Sequence, residues 1–179
     1  MTDYLRKINS YNKRKSKRNA VHFITRTAVL LAIVLAVQSL RLPSYITGPV
    51  VNAVLILATI FSSVISAVII GCITPVVALF TGIIPPAALP LVPVIAAANI
   101  TLAIVFYLID KFNRYCAWLG AAAAKFGIFY LSLNFLLGLI GVQVPAPMIA
   151  AFQIPQLYTA LAGGFLAIII ARYLKGVIN

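Results

Sequence analysis

Long apolar runs separated by short polar or proline-containing segments make up most of this chain. Each run is close to the length of about 20 residues that an α-helix needs to cross the hydrocarbon core of a bilayer. The runs predict six helices, at residues 22–40, 49–62, 64–83, 91–109, 118–142 and 155–174. The sequence therefore predicts an all-α integral membrane protein with a six-helix transmembrane domain over residues 22–174.

The boundary between the second and third helices is the weakest break in this pattern. No interruption in NAVLILATIFSSVISAVIIGCITPVVALFTGI is stronger than Ser62-Ser63, where we expect a tight turn; the alternative is one kinked helix. Pro75 falls inside the third helix, where it removes a backbone hydrogen bond and where the hydroxyl of Thr74 can help to satisfy the freed carbonyl. Pro75 therefore predicts a kink and not the end of a helix.

Composition indicates that lipid is the solvent of the folded chain. Hydrophobic residues make up 63% of the sequence and charged residues 9%, and the mean hydropathy is +1.09. A soluble helical domain of this size would keep charge on every outward face, whereas Arg41 is the only ionised side chain between Thr27 and Ile109. The composition therefore excludes an ordinary soluble domain.

Lysine and arginine predict the orientation in the membrane. After an even number of spans, the cations of the tail and of the later turns share one side: Arg6, Lys7, Lys13, Arg14, Lys15, Lys17, Arg18, Lys111, Arg114, Arg172 and Lys175. By the positive-inside rule this side is the cytoplasm. We therefore expect a plasma-membrane protein with a basic cytoplasmic tail (1–21), a cytoplasmic C-terminus (175–179) and three proline-rich loops outside.

The net charge of +12 does not by itself indicate nucleic acid as a partner. The basic run has no interleaved aromatic residues and adjoins a membrane span, so we interpret it as a topology signal, with contact to anionic lipid headgroups as the alternative. Its length also argues against a cleavable signal peptide. No nucleic acid partner is expected.

The sequence lacks the residues that usually drive transport or catalysis. It contains no phosphate-binding loop, its acids are Asp3 and Asp110, and its one histidine is His22 at the start of the first helix. The thiols of Cys72 and Cys116 fall at different depths, so neither a disulfide nor a metal site is expected. We therefore predict no catalytic residues, no metal and no cofactor, and any active transport would depend on a partner chain.

Small side chains form a row in the first helix, within RTAVLLAIVLAVQ. Ala28, Ala32 and Ala36 are four residues apart and so lie along one ridge, where small side chains let another backbone approach closely. A similar row, Gly163, Ala167 and Ala171, lies in the last helix. Spacing alone leaves open whether these rows pack inside the bundle or contact a partner.

The chain resembles the substrate-binding S components of energy-coupling factor (ECF) transporters over nearly all of residues 22–174. The resemblance rests on the basic tail, the six helices, the A-x-x-x-A motif of the first helix, and the segments TGPVVNA, GCITPVVALFTGIIPP and PQLYTALAGG. It implies that Ala28, Ala32 and Ala36 meet a transmembrane coupling subunit that sits on two ATPase subunits. It also implies capture of a vitamin, a precursor or a similar micronutrient from outside.

Polar side chains in the outer half of the bundle predict a substrate pocket. A buried amide without a partner costs a few kcal/mol, so we expect these side chains to face one another or a ligand. The amides in this half are Asn52, Asn99, Asn134 and Gln156, with Arg41 near the rim. The resemblance implies that the first loop also forms the pocket, which agrees with Arg41 and Tyr45 as further lining candidates. The alternative is that each amide only ties two helices together. These residues favour a small organic ligand, neutral or weakly anionic.

Two further residues are interpreted from their positions near the cytoplasmic side. Lys125 lies up to about two turns inside the fifth helix, so we favour a snorkelling side chain or a partner contact over a substrate role. Trp118 is interpreted as an interface anchor.

Two functions other than substrate capture stay open. The first is a structural or assembly membrane protein without a ligand, in which the alanines pack helices internally. The second is a passive facilitator or channel, which is disfavoured because no charged or hydroxyl ring lines an obvious path through the protein.

Overall fold

A computed structural model describes residues 2–139, 141 and 146–178, with side chains described between Arg18 and Leu174 except at Met148 and Ala151. The helices are α1 (Thr2–Ser39), α2 (Ser44–Phe61), α3 (Val64–Phe80), α4 (Val92–Ile109), α5 (Arg114–Leu131), a short α6 (Ala146–Phe152) and α7 (Ile154–Ile178). A 3-10 helix, Pro86–Leu91, leads into α4. A π-helical turn, Ser132–Leu136, and one α-helical turn, Leu137–Leu139, continue α5. These described ranges contain no β-strand.

Several of these helices have the length and composition of membrane spans. Among the described residues, five segments are long and apolar enough to cross a bilayer: Arg18–Ser39, Ser44–Phe61, Pro86–Ile109, Arg114–Leu139 and Ile154–Leu174. Helix α3 is also apolar but shorter, with 17 residues. The chain therefore has the architecture of an all-α, multi-pass membrane protein, and a sixth span through α3 stays a prediction.

The predicted break between the second and third helices is confirmed. Helix α2 ends at Phe61 and α3 begins at Val64, and the hydroxyl of Ser63 accepts a hydrogen bond from the Ser66 amide at 3.2 Å. A serine at this position satisfies one of the amides that the first turn of a helix leaves free. The Ser66 hydroxyl also lies 2.6 Å from the Thr27 hydroxyl, which ties α1 to this turn.

Three other helix ends differ from those predicted. Helix α1 begins at Thr2 and not at 22, so the described part of the basic tail continues the first helix. Helix α2 begins at Ser44 and not at 49, so Pro49 lies inside the helix. Helix α5 begins at Arg114 because the Asn113 side chain caps it, accepting from the amides of Tyr115 at 2.8 Å and Cys116 at 3.1 Å.

The two rows of small residues have opposite surroundings. On α7, Gly163, Ala167 and Ala171 are buried, and the backbone of α7 passes close to α2. A methyl group built on Gly163 would lie 2.5 Å from the carbonyl oxygen of Pro49. This row therefore packs inside the bundle, as small residues between membrane helices commonly do.

The row on α1 lies on the surface of the described structure. Ala28, Ala32 and Ala36 are exposed, whereas the buried residues of the same helix, Val34 among them, face α2 and α3. The α1 alanines therefore do not pack inside this bundle. We call them the α1 alanine row.

Candidate binding site

Lys125 lies in the middle of α5 and is buried, with 2% of its surface exposed. Its Nζ donates to Oδ1 of Asn52 at 2.6 Å and to Oδ1 of Asn99 at 2.7 Å. The interpretation of Lys125 as a snorkelling or partner-contacting side chain is therefore wrong. Lys125 does not extend to the surface because Asn52 on α2 and Asn99 on α4 offer amide oxygens at its own depth. Its amine is therefore hydrogen-bonded inside the bundle.

The two asparagines are held with their oxygens toward Lys125. The Asn52 amide nitrogen donates to the hydroxyl of Thr159 on α7 at 3.4 Å. The Asn99 amide nitrogen donates to the Gly71 carbonyl at 3.2 Å and to the Thr74 hydroxyl at 3.4 Å, both on α3. Because an amide nitrogen only donates, these bonds leave the carbonyl oxygens free to accept from Lys125.

Pro75 explains why α3 presents a free carbonyl to Asn99. Helix α3 continues through Pro75 to Phe80, as predicted. Proline has no amide hydrogen, so it leaves the Gly71 carbonyl, four residues earlier, without its helical partner. The Asn99 side chain supplies that hydrogen bond. The Thr74 hydroxyl, expected to have this role, instead accepts from Asn99.

These side chains form a continuous buried network that we call the polar chain. It begins at Gln38 on α1, whose amide nitrogen donates to the Thr74 carbonyl at 3.1 Å. It runs through helices α3, α4, α5, α2 and α7, and its members are Gln38, Thr74, Asn99, Lys125, Asn52 and Thr159, all buried. A network of this kind fixes how the helices face one another, because each unpaired polar group would be costly in the apolar interior.

A cavity of about 90 Å³ lies against the polar chain. Its opposite walls are apolar and include Val51, Pro75, Ala78, Ile84, Ile95 and Phe152. Its border includes Ser44, which is exposed, and Gln156, which is half-buried. Both lie toward the end of the bundle that carries the proline-containing segments 40–43 and 81–91. We call this the proline end, and the opposite end, with the turn 110–113, the basic end.

One acceptor beside this cavity has no partner. Gln38 is 4% exposed, and its Oε1 makes no hydrogen bond within the described structure. A buried carbonyl oxygen left unpaired costs about 1–3 kcal/mol, so an unpaired acceptor on a residue that lines a cavity points to a donor from outside the chain.

The cavity brings together some of the predicted lining residues and not others. Asn52, Asn99 and Gln156 line it. Arg41 is exposed in the turn after α1, with a φ of 50°, and Tyr45 is 72% exposed. Asn134 is exposed, and its amide nitrogen donates to the Tyr130 carbonyl of its own helix at 2.8 Å. These last three lie outside the cavity because they face away from the bundle.

Sequence reasoning missed Gln38, Thr74 and Lys125 as lining residues. Gln38 received no interpretation from the sequence, and Thr74 was considered only as a neighbour of Pro75. Lys125 offered a usable signal, since it is a cation inside an apolar segment of a chain that has two acids. Such a residue usually faces the bundle interior, where it finds a polar partner.

Trp118 packs between helices. It is half-buried, and its Nε1 donates to the Leu161 carbonyl of α7 at 2.9 Å. Its ring lies beside Gly164 and Phe165. Trp118 therefore joins α5 to α7, a contact that its interpretation as an interface anchor did not include.

The fold and the cavity define the class: an all-α, multi-pass membrane protein with a small polar cavity between its helices. Comparison with protein-family models, with curated proteins and with solved structures gives no match. Function is therefore argued below from the geometry of this chain. Within the described residues, no group of His, Cys, Asp and Glu side chains is arranged to hold a metal ion.

Replacing Asn99 with alanine is expected to destabilise the fold. The change leaves the Gly71 carbonyl unpaired and removes one of the two acceptors of Lys125, at a cost of roughly 2–4 kcal/mol. Thermal unfolding of the detergent-solubilised protein measures it. Asn134→Ala is the matched control, because Asn134 is exposed and bonds only within its own helix. Equal melting temperatures for the two variants would contradict the importance of the polar chain.

Proposed function

We propose that this protein is the substrate-binding membrane subunit, or S component, of an ECF-type ABC transporter. The observation that supports this best is the cavity, where a buried lysine and an unpaired acceptor meet near one end of the bundle. In this proposal the proline end faces outside, both termini lie in the cytoplasm of a plasma-membrane protein, and α3 is the sixth span. Substrate enters the cavity from the proline end.

The α1 alanine row is the proposed docking surface for the transmembrane coupling subunit. Its three side chains are exposed and small, so a partner helix can approach the α1 backbone closely. Two ATPase subunits bound to that partner supply the energy. A partner is needed because the chain has two acids, and one of them, Asp110, is paired with Arg114 at 2.7 Å at the basic end. Coupling transport to protons or sodium ions usually requires acidic or histidine side chains within the membrane.

The alternative functions fit these observations less well. A structural protein that used the α1 alanines for its own packing would bury them, whereas here the α7 row has that role. A channel would need an open path from the cavity to the basic end.

The bundle between Lys125 and the basic end is filled by fully buried apolar side chains, among them Leu55, Ile56, Leu102, Phe106 and Ala121. Delivery of a ligand would therefore require the whole subunit to reorient.

Affinity purification of the tagged chain from its native membrane tests this function. We expect one further membrane subunit and two ATPase subunits to co-purify. Recovery of the chain without ATPases would contradict the proposal and favour a structural protein. Flux through liposomes that contain this chain alone, without ATP, would favour a facilitator, and concentrative accumulation in them would show that the chain needs no partner.

A further inference from the structure

We propose that the cavity binds a compact organic carboxylate, with the carboxylate on Lys125 and an N–H or O–H group of the ligand on Gln38. The inference deepens the proposed function and rests on it for the ligand's role as a transported substrate. The binding itself is argued from the cavity alone. Four observations lead to this class of ligand.

The first observation is that Lys125 has no acidic partner within the described part of the chain. The acids of the chain are Asp3 and Asp110. Asp110 is held by Arg114 through two hydrogen bonds, of 2.7 and 2.9 Å. Asp3 lies in the first turn of α1, 35 residues before Gln38. At a rise of about 1.5 Å per residue, about 50 Å of helix separates Asp3 from the Gln38 end of the polar chain. The partners of the Lys125 amine are two neutral amides, so a positive charge on this amine would have to be balanced by a ligand.

The second observation concerns the donors of Lys125. In its charged form Lys125 has three N–H donors, and Asn52 and Asn99 accept two of them. Lys125 also lines the cavity. The third N–H is therefore available to an oxygen of a bound ligand. A carboxylate accepts such a bond more strongly than a neutral group does, because both partners are charged.

The third observation is the unpaired Oε1 of Gln38. The amide nitrogen of Gln38 is used by the Thr74 carbonyl, which fixes which end of the amide is free. An acceptor cannot bind a carboxylate, so Gln38 must meet a donor. The ligand therefore has two distinct polar groups, an anionic acceptor and a neutral donor.

The fourth observation is the size and lining of the cavity. Its volume of about 90 Å³ is below the roughly 300–1,000 Å³ of pockets that hold drug-sized ligands. Pro75, Ala78, Ile84, Ile95 and Phe152 offer an apolar surface to the remainder of the ligand. Lys125 is the one cation that lines this cavity, so a single negative charge is balanced and a doubly charged phosphate is not. The site therefore favours a small monocarboxylate.

Three matched probes test these features on the full-length chain in nanodiscs, without partner subunits. Pyrrole-2-carboxylate has both the carboxylate and an N–H donor, pyrrole-2-carboxamide lacks the charge, and furan-2-carboxylate lacks the N–H. We expect pyrrole-2-carboxylate to bind in a saturable manner by isothermal titration calorimetry. The carboxamide should bind about 10- to 100-fold more weakly, and the furan about 5- to 10-fold more weakly.

A charge substitution gives a second test. Asn52→Asp places a carboxylate of the chain beside the Lys125 amine, so we expect at least a roughly tenfold loss of affinity for pyrrole-2-carboxylate, with a melting temperature no lower than that of the unaltered protein. Asn113→Asp adds the same charge in the exposed turn 110–113, where aspartate caps α5 as well as asparagine does, and should change neither quantity.

Several results would overturn the inference. These are equal affinity for the carboxylate and the carboxamide, no saturable binding of either carboxylate at millimolar concentration, or unchanged affinity in the Asn52→Asp protein. Because these measurements use the chain alone, they are independent of whether ATPases co-purify. A failure of the transport proposal and a failure of this one are thereby distinguished.

Discussion

Replacing Ala32 with leucine is expected to abolish recovery of the transport partners, and with it substrate uptake, while the isolated chain still folds and binds ligand. Ala32 is the central residue of the α1 alanine row and is exposed. A larger side chain there would hold a partner helix away from the α1 backbone. A clash that costs about 2–3 kcal/mol lowers affinity about 30- to 150-fold. Quantitative co-purification of the ATPases measures the loss, and Ala28→Leu should behave in the same way.

The matched control for Ala32→Leu is Ile33→Phe. Ile33 is exposed on the same helix, but as the next residue after Ala32 it points about 100° away around the helix. It should leave partner recovery unchanged. The melting temperature of both variants should stay within about 2 °C of that of the unaltered protein, because exposed apolar positions contribute little to folding. Normal complex formation by the Ala32→Leu protein would defeat the assignment of this row as the docking surface.

Replacing Gly163 with alanine is expected to have the opposite effect, with loss of the folded bundle. The added methyl group would lie 2.5 Å from the Pro49 carbonyl oxygen, 2.6 Å from the Asn52 Cβ and 3.0 Å from the Ala53 amide nitrogen. Two of these are backbone atoms of α2, so α7 must move away from α2 as a whole. We expect a loss of at least about 1–3 kcal/mol, and displacement of Asn52 from Lys125. Thermal unfolding and the monodisperse fraction on size exclusion measure it.

The control for Gly163→Ala is the same substitution at Gly127. Gly127 lies inside α5, and a methyl group built on it would meet nothing within 4 Å. Alanine is a better helix former than glycine by about 1 kcal/mol, so this variant should be as stable as the unaltered protein or more so. If Gly163→Ala unfolded at the same temperature as Gly127→Ala, the close packing of α7 on α2 would be wrong.

The elements of the fold that were predicted well are those that depend on local sequence. The apolar runs indicated the helices because burial in lipid requires long stretches without charge. The turn between α2 and α3 was found because Ser62-Ser63 is the only polar pair in that run, and serine caps the helix that follows. The helix starts at Thr2 and Arg114 were missed because polar residues can extend a helix where no breaker intervenes. The start at Ser44 was missed because Gly48 and Pro49 predicted a turn, whereas α2 continues through both.

The candidate site was predicted in part. Asn52 and Asn99 were selected because an amide inside an apolar helix needs a partner, and both line the cavity. Arg41 and Tyr45 were selected as part of the first outer loop, and Asn134 as an amide in the outer half of its helix. Neither criterion tells whether a side chain faces into the bundle. Lys125 was assigned to the surface because a lysine near the end of a span can reach water, an argument that ignores what the neighbouring helices offer.

The sequence by itself determined that this is a helical membrane protein, where its apolar helices lie, and that its few acids and its single histidine provide no clustered site. Tertiary structure alone decided that Lys125 meets Asn52 and Asn99, that Gln38 keeps a free acceptor beside a cavity, and that two rows of small residues with identical spacing face opposite surroundings. The physical reason is that spacing fixes which residues share a face of a helix. The rotation of each helix about its own axis is set by contacts between residues far apart in the chain.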